Sequence, residues 1–376
     1  MQLHQSQPHR EVDRSDEHHE VIVVGGGQAG LAIGHLLSQQ ELDFVILEAA
    51  CEPAAAWRTR WDSLKLFTSV RYSSLPGLPF PGDPQSYPGR DDVAAYLTDY
   101  ARHFALPVEL NRRVRVVRQA GDAYLVGVED RSYIADQVVI ATGPFQAPFV
   151  PTIAGGLNHD VVQLHSTGYR TPSDMPHGRI LVVGGGNTGF QIARELSSSR
   201  ETHLSIGSRQ KPLPQRILGR DLFWYLDKTG LIRKSTDTRL GHSLGGRDTL
   251  IGSSPRRLRK RCGVRLHPRA VHAADRTIGF NNGTKLAVDA VIWATGFRHD
   301  HSWIYAPIFD GHHRLVHRRG VTASPGLYFL GLSWQHTRGS ALIGFVADDA
   351  RYIADQIKTF YTTRPRLRAS EAVGTR

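Results

Sequence analysis

A chain of 376 residues, 40% of them hydrophobic, is long enough for two domains, and none of its apolar runs approaches the roughly 18 residues that a membrane helix needs. The net charge of +11 raises the question of nucleic-acid binding, but the basic run from Arg256 to Arg261 contains no interleaved aromatic residues, so a solvated basic face is the simpler interpretation. The only two cysteines, Cys51 and Cys262, exclude a disulfide framework and a Cys-x-x-Cys redox pair, and they favour a cytoplasmic location.

The first 19 residues are polar and rich in histidine and charge, without the apolar stretch of a secretory signal, and they predict a disordered leader. The strand pattern that follows, Val21 to Val24, leads into Gly-x-Gly-x-x-Gly and then into a helical pattern from Leu31 to Leu37. In this arrangement Gly25 permits a tight turn, Gly27 lets the backbone approach a pyrophosphate, and Gly30 lets the helix pack on the strand. The pyrophosphate of a dinucleotide would then lie at the helix N-terminus, where unpaired N–H groups favour negative charge.

The next strand pattern, Phe44 to Leu47, ends at Glu48, which stands 23 residues after the first glycine of the motif. A carboxylate at this position accepts hydrogen bonds from the ribose hydroxyls of an adenosine that carries no 2′-phosphate. The first site therefore suits FAD or NAD.

The same pattern recurs in the segment Ile180 to Gly189, which again leads into a helical pattern, Phe190 to Leu196. Twenty-three residues after the first glycine of this copy the acidic residue is replaced by Gly207, and Ser208 and Arg209 follow. A glutamate would repel a 2′-phosphate, whereas Arg209 would pair with it, so the second site suits NADP(H). An incidental surface arginine is the alternative interpretation.

Both halves close with a strand pattern that runs into Ala-Thr-Gly, in the segments Gln137 to Gly143 and Ala290 to Gly296. Small residues there let the chain pass close to a bound dinucleotide or cross between domains. The duplicated units predict an α/β fold with two Rossmann-like dinucleotide-binding domains.

Further motifs give the chain a family resemblance. They are Trp57-Arg-Thr-Arg-Trp61, the proline-rich run Leu75 to Pro81, Ala294-Thr-Gly-Phe-Arg298 and the closing run Gly326 to Gln335. Together with the two glycine motifs they make the chain similar to the class B flavin monooxygenases, which include the flavin-containing monooxygenases, the YUCCA-type enzymes and their bacterial relatives. The resemblance extends from about residue 20 to residue 360.

The resemblance implies an FAD-binding domain made of residues 20–177 and 297–362, an NADPH-binding domain inserted at 178–296, and a flexible tail at 363–376. It implies an enzyme that inserts one oxygen atom from O2 into a small organic substrate through a flavin C4a-hydroperoxide. An FAD- and NADPH-dependent reductase or oxidase without oxygenation stays open, as does a redox-sensing flavoprotein without turnover. The implied partners are a small-molecule substrate and O2, without nucleic acid or membrane, and a homodimer is left open.

The chain departs from the family pattern in two places. The linker signature Phe-x-Gly-x-x-x-His-x-x-x-Trp/Tyr keeps its last two positions, His165 and Tyr169, but has His159 and Val161 at the first two, which weakens the case for Baeyer–Villiger chemistry. The asparagine that faces the flavin in animal-type members has no counterpart, because no asparagine occurs between residues 57 and 110.

Flavin carries out the bond-making in this family, so no catalytic side chain is predicted. The stretch from Arg338 is predicted to be helical as far as Phe360, and its start is expected to stabilise the reduced flavin through the helix dipole, with a purely packing role as the alternative. Three adjacent aromatic residues in the segment Arg220 to Asp227 fall on a predicted helix, where packing is the favoured role. The 19 histidines do not cluster at metal-ligand spacing, so no metal is predicted.

The candidate cofactor residues are those of the glycine motifs, the strand ends, the Ala-Thr-Gly segments and the positions that the resemblance implies near the flavin and its phosphates. For FAD they are Gly25, Gly27, Gln28, Ala29, Gly30, Glu48, Trp57, Arg58, Val114, Ala141, Thr142, Gly143 and Gln335. For NADPH they are Gly184, Gly186, Asn187, Thr188, Gly189, Ser208, Arg209, Thr295 and Gly296.

Overall fold

The computed structural model of the chain describes residues 17–208, 211–239, 241 and 249–363. The helices among them are α1 (Gln28–Ser38), α2 (Ala55–Arg58), α3 (Arg90–His103), α4 (Asn187–Leu196), α5 (Leu222–Lys228), α6 (Pro255–Cys262) and α7 (Val346–Thr363). Short 3₁₀ helices lie at Val70–Tyr72, Thr152–Gly156, Pro172–Asp174 and Leu231–Arg233. The strands are β1 (Glu17–Val24), β2 (Phe44–Leu47), β3 (Val108–Glu109), β4 (Val116–Ala120), β5 (Ala123–Gly127), β6 (Ser132–Ile140), β7 (Ala147–Pro148), β8 (Val162–His165), β9 (Arg179–Val183), β10 (Glu201–Ser205), β11 (Arg216–Ile217), β12 (Arg220–Asp221), β13 (Arg265–His267), β14 (Ala270–Ala274), β15 (Thr277–Phe280), β16 (Lys285–Ala287), β17 (Ala290–Trp293), β18 (Phe297–Arg298), β19 (Ile304–Tyr305), β20 (His317–Arg318), β21 (Val321–Thr322) and β22 (Leu327–Phe329).

The larger sheet carries the first glycine motif. Its strands follow the order β19-β4-β5-β6-β1-β2-β3, and β22 pairs with the C-terminal end of β6. The strands β1, β2, β3, β6 and β22 run parallel, whereas β4 and β5 form an antiparallel hairpin beside β6. The last four residues of β1 are buried, as expected for a strand inside a parallel sheet that is covered on both faces.

Side chains of β1 alternate between two hydrophobic clusters, because successive residues of a strand point to opposite faces. Val21 and Val23 belong to the cluster that contains α1 and α7, whereas Ile22 and Val24 pack with residues of β5 and of the segment around β19. The closing helix α7 contributes a stripe at helical spacing to the first cluster. Its members are Val346, Ala350, Ile353 and Ile357. The C-terminal helix therefore packs against the same face of the sheet as the helix of the first glycine motif.

A second sheet carries the second glycine motif. Its five strands are all parallel, in the order β13-β10-β9-β17-β8. One face packs against α4 and α6, and the other is covered by the antiparallel sheet β14-β15-β16. The predicted α/β fold with two Rossmann-like units is confirmed, and the helices predicted at Leu31–Leu37 and Phe190–Leu196 lie within α1 and α4.

The two sheets are joined where the Ala-Thr-Gly segments end. The short strand β7 follows the first segment, β18 follows the second, and the two pair antiparallel. Strand β8 precedes residue 178 but belongs to the second sheet. The domain boundaries at 177/178 and 296/297 stay a prediction.

The structure differs from the sequence-based predictions in two details. Residues 17–19, assigned to the leader, form the start of β1, where His18 Nε2 bonds to the Asp136 carboxylate (2.9 Å); residues 1–16 and 364–376 lie outside the described part. The helix expected from Arg338 begins only at Val346. In the turns before this helix, a Cβ on Gly344 would lie 2.1 Å from the Tyr72 carbonyl oxygen, so only glycine allows this close approach.

Candidate functional site

The first glycine loop contains two glycines that packing requires and one that faces open space. A Cβ on Gly25, whose φ is +110°, would lie 2.9 Å from the Ala141 carbonyl oxygen, and a Cβ on Gly30 would lie 1.9 Å from the Gly25 carbonyl oxygen. A Cβ on Gly27 would have no neighbour within 4 Å among the described residues. The space over Gly27, at the N-terminus of α1, is therefore a cradle that fits a pyrophosphate.

Glu48 lies against this loop at the end of β2. Its Oε2 accepts a hydrogen bond from the Gly26 N–H (2.7 Å) and its Oε1 accepts one from the Ala50 N–H (2.9 Å). Both bonds fix the carboxylate beside the cradle, where it can accept further bonds from ribose hydroxyls. Val114 lies half-buried in the neighbouring loop, in which the Arg112 N–H donates to the Glu48 carbonyl oxygen (2.8 Å).

Trp57 and Arg58 differ in how they are held. The Trp57 Nε1–H donates to Gln28 Oε1 (3.2 Å), which ties α2 to the first turn of α1, next to Ala29. Arg58 is largely exposed and donates to the Glu52 carboxylate (2.8 Å). Trp57 is thus fixed beside the cradle, whereas the Arg58 guanidinium is paired with Glu52.

The second glycine loop repeats the geometry of the first. A Cβ on Gly184 would lie 2.1 Å from the Ala294 carbonyl oxygen, and one on Gly189 would lie 2.1 Å from the Gly184 carbonyl oxygen. A Cβ on Gly186 would have no described neighbour within 4 Å. The N-terminus of α4, where Asn187 and Thr188 form the first turn, therefore has a second cradle that fits a pyrophosphate.

The amide of Asn187 is engaged with the protein itself. Its Nδ2–H donates to the Thr249 carbonyl oxygen (3.1 Å) and its Oδ1 accepts from the Ile251 N–H (2.9 Å). Asn187 therefore fixes the segment 249–251 against α4. A cavity of about 550 Å³ adjoins this segment and is lined by Tyr87, residues 212–216, residues 252–254 and Arg257.

The end of β10 carries a cation that sequence reasoning missed. Gly207 occupies the position that corresponds to Glu48, Ser208 follows it, and Arg209 lies outside the described residues. The Gly207 carbonyl oxygen accepts hydrogen bonds from Arg269 Nη2 (3.0 Å) and Nε (3.3 Å). Ser205 is in register with His267 in the parallel pair β10·β13. Gly207 and Arg269, two positions further on, therefore meet at the same edge of the sheet.

The two Ala-Thr-Gly segments lie against the two glycine loops. The Ala141 N–H donates to the Val24 carbonyl oxygen (2.9 Å), and Thr142 Oγ1 accepts from Gln146 (2.7 Å) before Gly143 turns the chain at φ +70°. In the second copy Thr295 Oγ1 donates to the Phe149 carbonyl oxygen, and Gly296 has φ +85°. Both positive φ values favour glycine.

Gln335 is buried, and its Nε2 faces Gly320 just before β21, where a Cβ would lie 2.5 Å from it. Its Oε1 accepts from the Leu332 N–H (3.2 Å), whereas its Nε2 has no partner within the described part of the chain. A buried amide donor without an acceptor is costly, so this site fits a bound polar group. Among the aromatic residues of α5, Phe223 is fully buried and stacks on Phe67 at a centroid distance of 5.9 Å, which is the packing role.

Within residues 17–208, 211–239, 241 and 249–363, no three His, Cys, Asp or Glu side chains come together as a metal site. In the same ranges no helix is long and apolar enough to cross a membrane.

Two sheets with parallel central strands, each with a glycine loop open to a pyrophosphate, are typical of an oxidoreductase that binds two dinucleotides. The family model for pyridine nucleotide-disulphide oxidoreductases matches residues 22–215. An uncharacterized CzcO-like oxidoreductase from Geobacillus kaustophilus is 42% identical over 340 residues, which cover 90% of this chain and 98% of that protein. The chain belongs to the pyridine nucleotide-disulphide oxidoreductase family and, within it, to the class B flavin monooxygenases, whose cofactors are FAD and NADPH.

Two further relatives support the monooxygenase class. The solved flavin-containing monooxygenase from Stenotrophomonas maltophilia is 29% identical, with a TM-score of 0.78, and the match covers 92% of this chain and 99% of that one. A protein from Arabidopsis thaliana named as a probable indole-3-pyruvate monooxygenase of the YUCCA type is 27% identical over 390 residues, or 92% of this chain and 91% of that protein.

Proposed function

We propose that the chain is an NADPH-dependent FAD monooxygenase that inserts one oxygen atom from O2 into a small organic substrate. The observation that carries this proposal is the pair of matching cradles at Gly27 and Gly186 in a chain without a dithiol. Its cysteines, Cys51 and Cys262, are both unpaired, so the chain has no disulfide of its own to accept electrons from NADPH.

The first cradle would hold FAD through the α1 N-terminus, Glu48 and the first Ala-Thr-Gly segment, and the second would hold NADPH through the α4 N-terminus and the β10 end. Bound FAD supplies hydride acceptance from NADPH and the activation of O2. The protein's part is to align the two dinucleotides and to keep water out. We assign part of the second task to α5, because Phe223 packs with Phe67, Tyr72 and Phe345 into an apolar cluster.

The oxygenase proposal is tested with FAD-loaded protein in air. We expect NADPH oxidation with O2 uptake, and an oxygenated product from at least one of a panel of amines, thiols, ketones, aromatic compounds and 2-oxo acids such as indole-3-pyruvate. Mass spectrometry with ¹⁸O2 detects the transferred atom. NADPH oxidation that yields only hydrogen peroxide, whatever the panel compound, would instead support the oxidase alternative.

The preference for NADPH is proposed to rest on Arg269 as well as on Arg209. A charge-assisted bond to a phosphate contributes about 1.5–3 kcal/mol, so Arg269→Ala is expected to weaken NADP⁺ binding about ten- to a hundredfold and to leave NAD⁺ binding unchanged. Isothermal titration measures both constants. Arg265→Ala is the control, because this exposed arginine lies near Arg269 but pairs with Glu201 (2.7 Å). Equal losses for NADP⁺ and NAD⁺ would show that Arg269 only supports the fold.

The cytoplasmic location and the homodimer stay predictions. Size-exclusion chromatography with light scattering tests the second of them.

A further inference from the structure

One segment of the chain spans the two dinucleotide sites. We define the bridging segment as residues 54–66. At its start Trp57 bonds to Gln28 beside the first glycine loop. At its end the Lys65 carbonyl oxygen accepts from Gln191 Nε2 (3.1 Å) on α4, the helix of the second glycine loop. The middle of the segment therefore lies at the joint between the two sites.

Arg60 stands in the middle of the bridging segment, between two aromatic rings. Its guanidinium carbon lies 5.1 Å from the centroid of Phe145 and 5.5 Å from that of Phe297. Phe297 directly follows Gly296, and Phe145 stands two residues after Gly143, so both rings lie close to the ends of the two Ala-Thr-Gly segments. Arg60 is half-buried, and no carboxylate pairs with it in the part of the chain that the structure describes.

The groups around Arg60 add positive charge rather than neutralising it. The Arg170 Nη1–H groups donate to the carbonyl oxygens of Thr59 and Thr167, and Arg170 forms no described ion pair either. Burial, and to a smaller extent the charge of Arg170, lowers the pKa of Arg60. The nearby carboxylate of Asp62 forms an ion pair with Arg90 (2.7 Å). The positive charges of Arg60 and Arg170 therefore act on each other, and neither residue has a carboxylate partner among those that the structure describes.

His165 connects the surroundings of Arg60 to the second sheet. Its Nε2–H donates to the carbonyl oxygen of Gly296 (3.0 Å), and its ring contacts Phe297 at a centroid distance of 5.1 Å. Burial lowers the pKa of His165, so its ring is neutral at pH 7 and adds no positive charge beside Arg60. His165 lies on β8 and Arg170 follows that strand, so both come from the side of the second sheet.

We propose that Arg60 and Arg170 form an anion site at the joint and bind the pyrophosphate of NADP(H) where that cofactor crosses towards the flavin. A partly buried charge without a counter-ion is unfavourable, and a bound phosphate supplies the counter-ion. The planar guanidinium presents paired N–H donors that match phosphate oxygens, while the rings of Phe145 and Phe297 hold its plane. This site rests on the proposed function and adds a contact remote from the 2′-phosphate.

The test uses FAD-loaded protein and two probes, NADP⁺ and adenosine 2′-phosphate, the second of which lacks the pyrophosphate. Arg60→Met keeps the packing between the rings and removes the charge, and it is expected to raise the Kd for NADP⁺ about tenfold while the Kd for adenosine 2′-phosphate stays unchanged. Arg170→Met is expected to act in the same direction. Arg60→Lys keeps the charge but loses the paired donors, so it should recover only part of the affinity. Arg102→Met is the control, because this exposed arginine on α3 lies in an ion pair with Asp99.

The possible failures are distinguishable. Wild-type protein that binds neither FAD nor NADP⁺ would refute the proposed function itself. Wild-type protein that binds both, with an Arg60→Met variant of equal NADP⁺ affinity, would refute only the anion site. A variant in which both probes weaken together, or in which flavin is lost and the melting temperature falls, would show that Arg60 is structural and would also refute the site.

Discussion

Replacing Gly27 by leucine is expected to give a folded but colourless protein. The backbone of Gly27 is extended, at φ −82° and ψ −171°, and a Cβ there meets no described atom within 4 Å, so the new side chain begins in open space. The same side chain fills the space that the pyrophosphate needs. Losing two or more charge-assisted bonds of about 1.5–3 kcal/mol each weakens FAD binding at least about a hundredfold. The measurement is flavin absorbance after purification, followed by titration of the apoprotein with FAD.

Gly30→Val is the matched comparison for this variant. Its Cβ would lie 1.9 Å from the Gly25 carbonyl oxygen, so helix and strand would have to separate and the protein should unfold at a lower temperature. Circular dichroism melting separates the two cases, because Gly27→Leu should melt like the wild-type apoprotein. A yellow Gly27→Leu protein with unchanged FAD affinity would contradict the first cradle.

Replacing Gly186 by leucine is expected to keep the flavin and abolish its reduction by NADPH. Gly186 is also extended, at φ −84° and ψ 179°, and its Cβ would likewise meet no described atom within 4 Å. The variant should be yellow and reducible by dithionite, while the rate of flavin reduction at low NADPH concentration falls at least about a hundredfold. Anaerobic stopped-flow absorbance measures this rate.

Gly189→Val provides the comparison in the second copy. Its Cβ would lie 2.1 Å from the Gly184 carbonyl oxygen, so this variant should lose stability instead of losing only NADPH. If Gly186→Leu reduces its flavin with NADPH as fast as the wild type, the second cradle is not the NADPH site. Loss of flavin from Gly186→Leu would show that this substitution also disturbs the FAD site, contrary to the assignment of separate sites.

Several predictions from sequence concern residues close together in the chain. The sequence predicted where glycine is structurally required, because a tight turn and a close helix–strand contact impose conditions that only glycine meets. These positions are 25, 30, 184 and 189. The position of Glu48 at the end of β2 could be predicted, because the spacing from the first glycine indicates where the second strand ends. The α/β class with two dinucleotide sites follows from these local rules, applied twice.

The tertiary structure decided the rest, since strand order and loop packing join distant residues. Arg269 reaches Gly207 because β13 pairs with β10, and that pairing has no local signal in the sequence. The Asn187 amide bonds to the segment 249–251, and Gly344 lies against the Tyr72 backbone, and neither contact has a local signal in the sequence. The sequence by itself determined the two cradles, since backbone conformation and spacing are local; the charges around them were decided by which segments fold side by side.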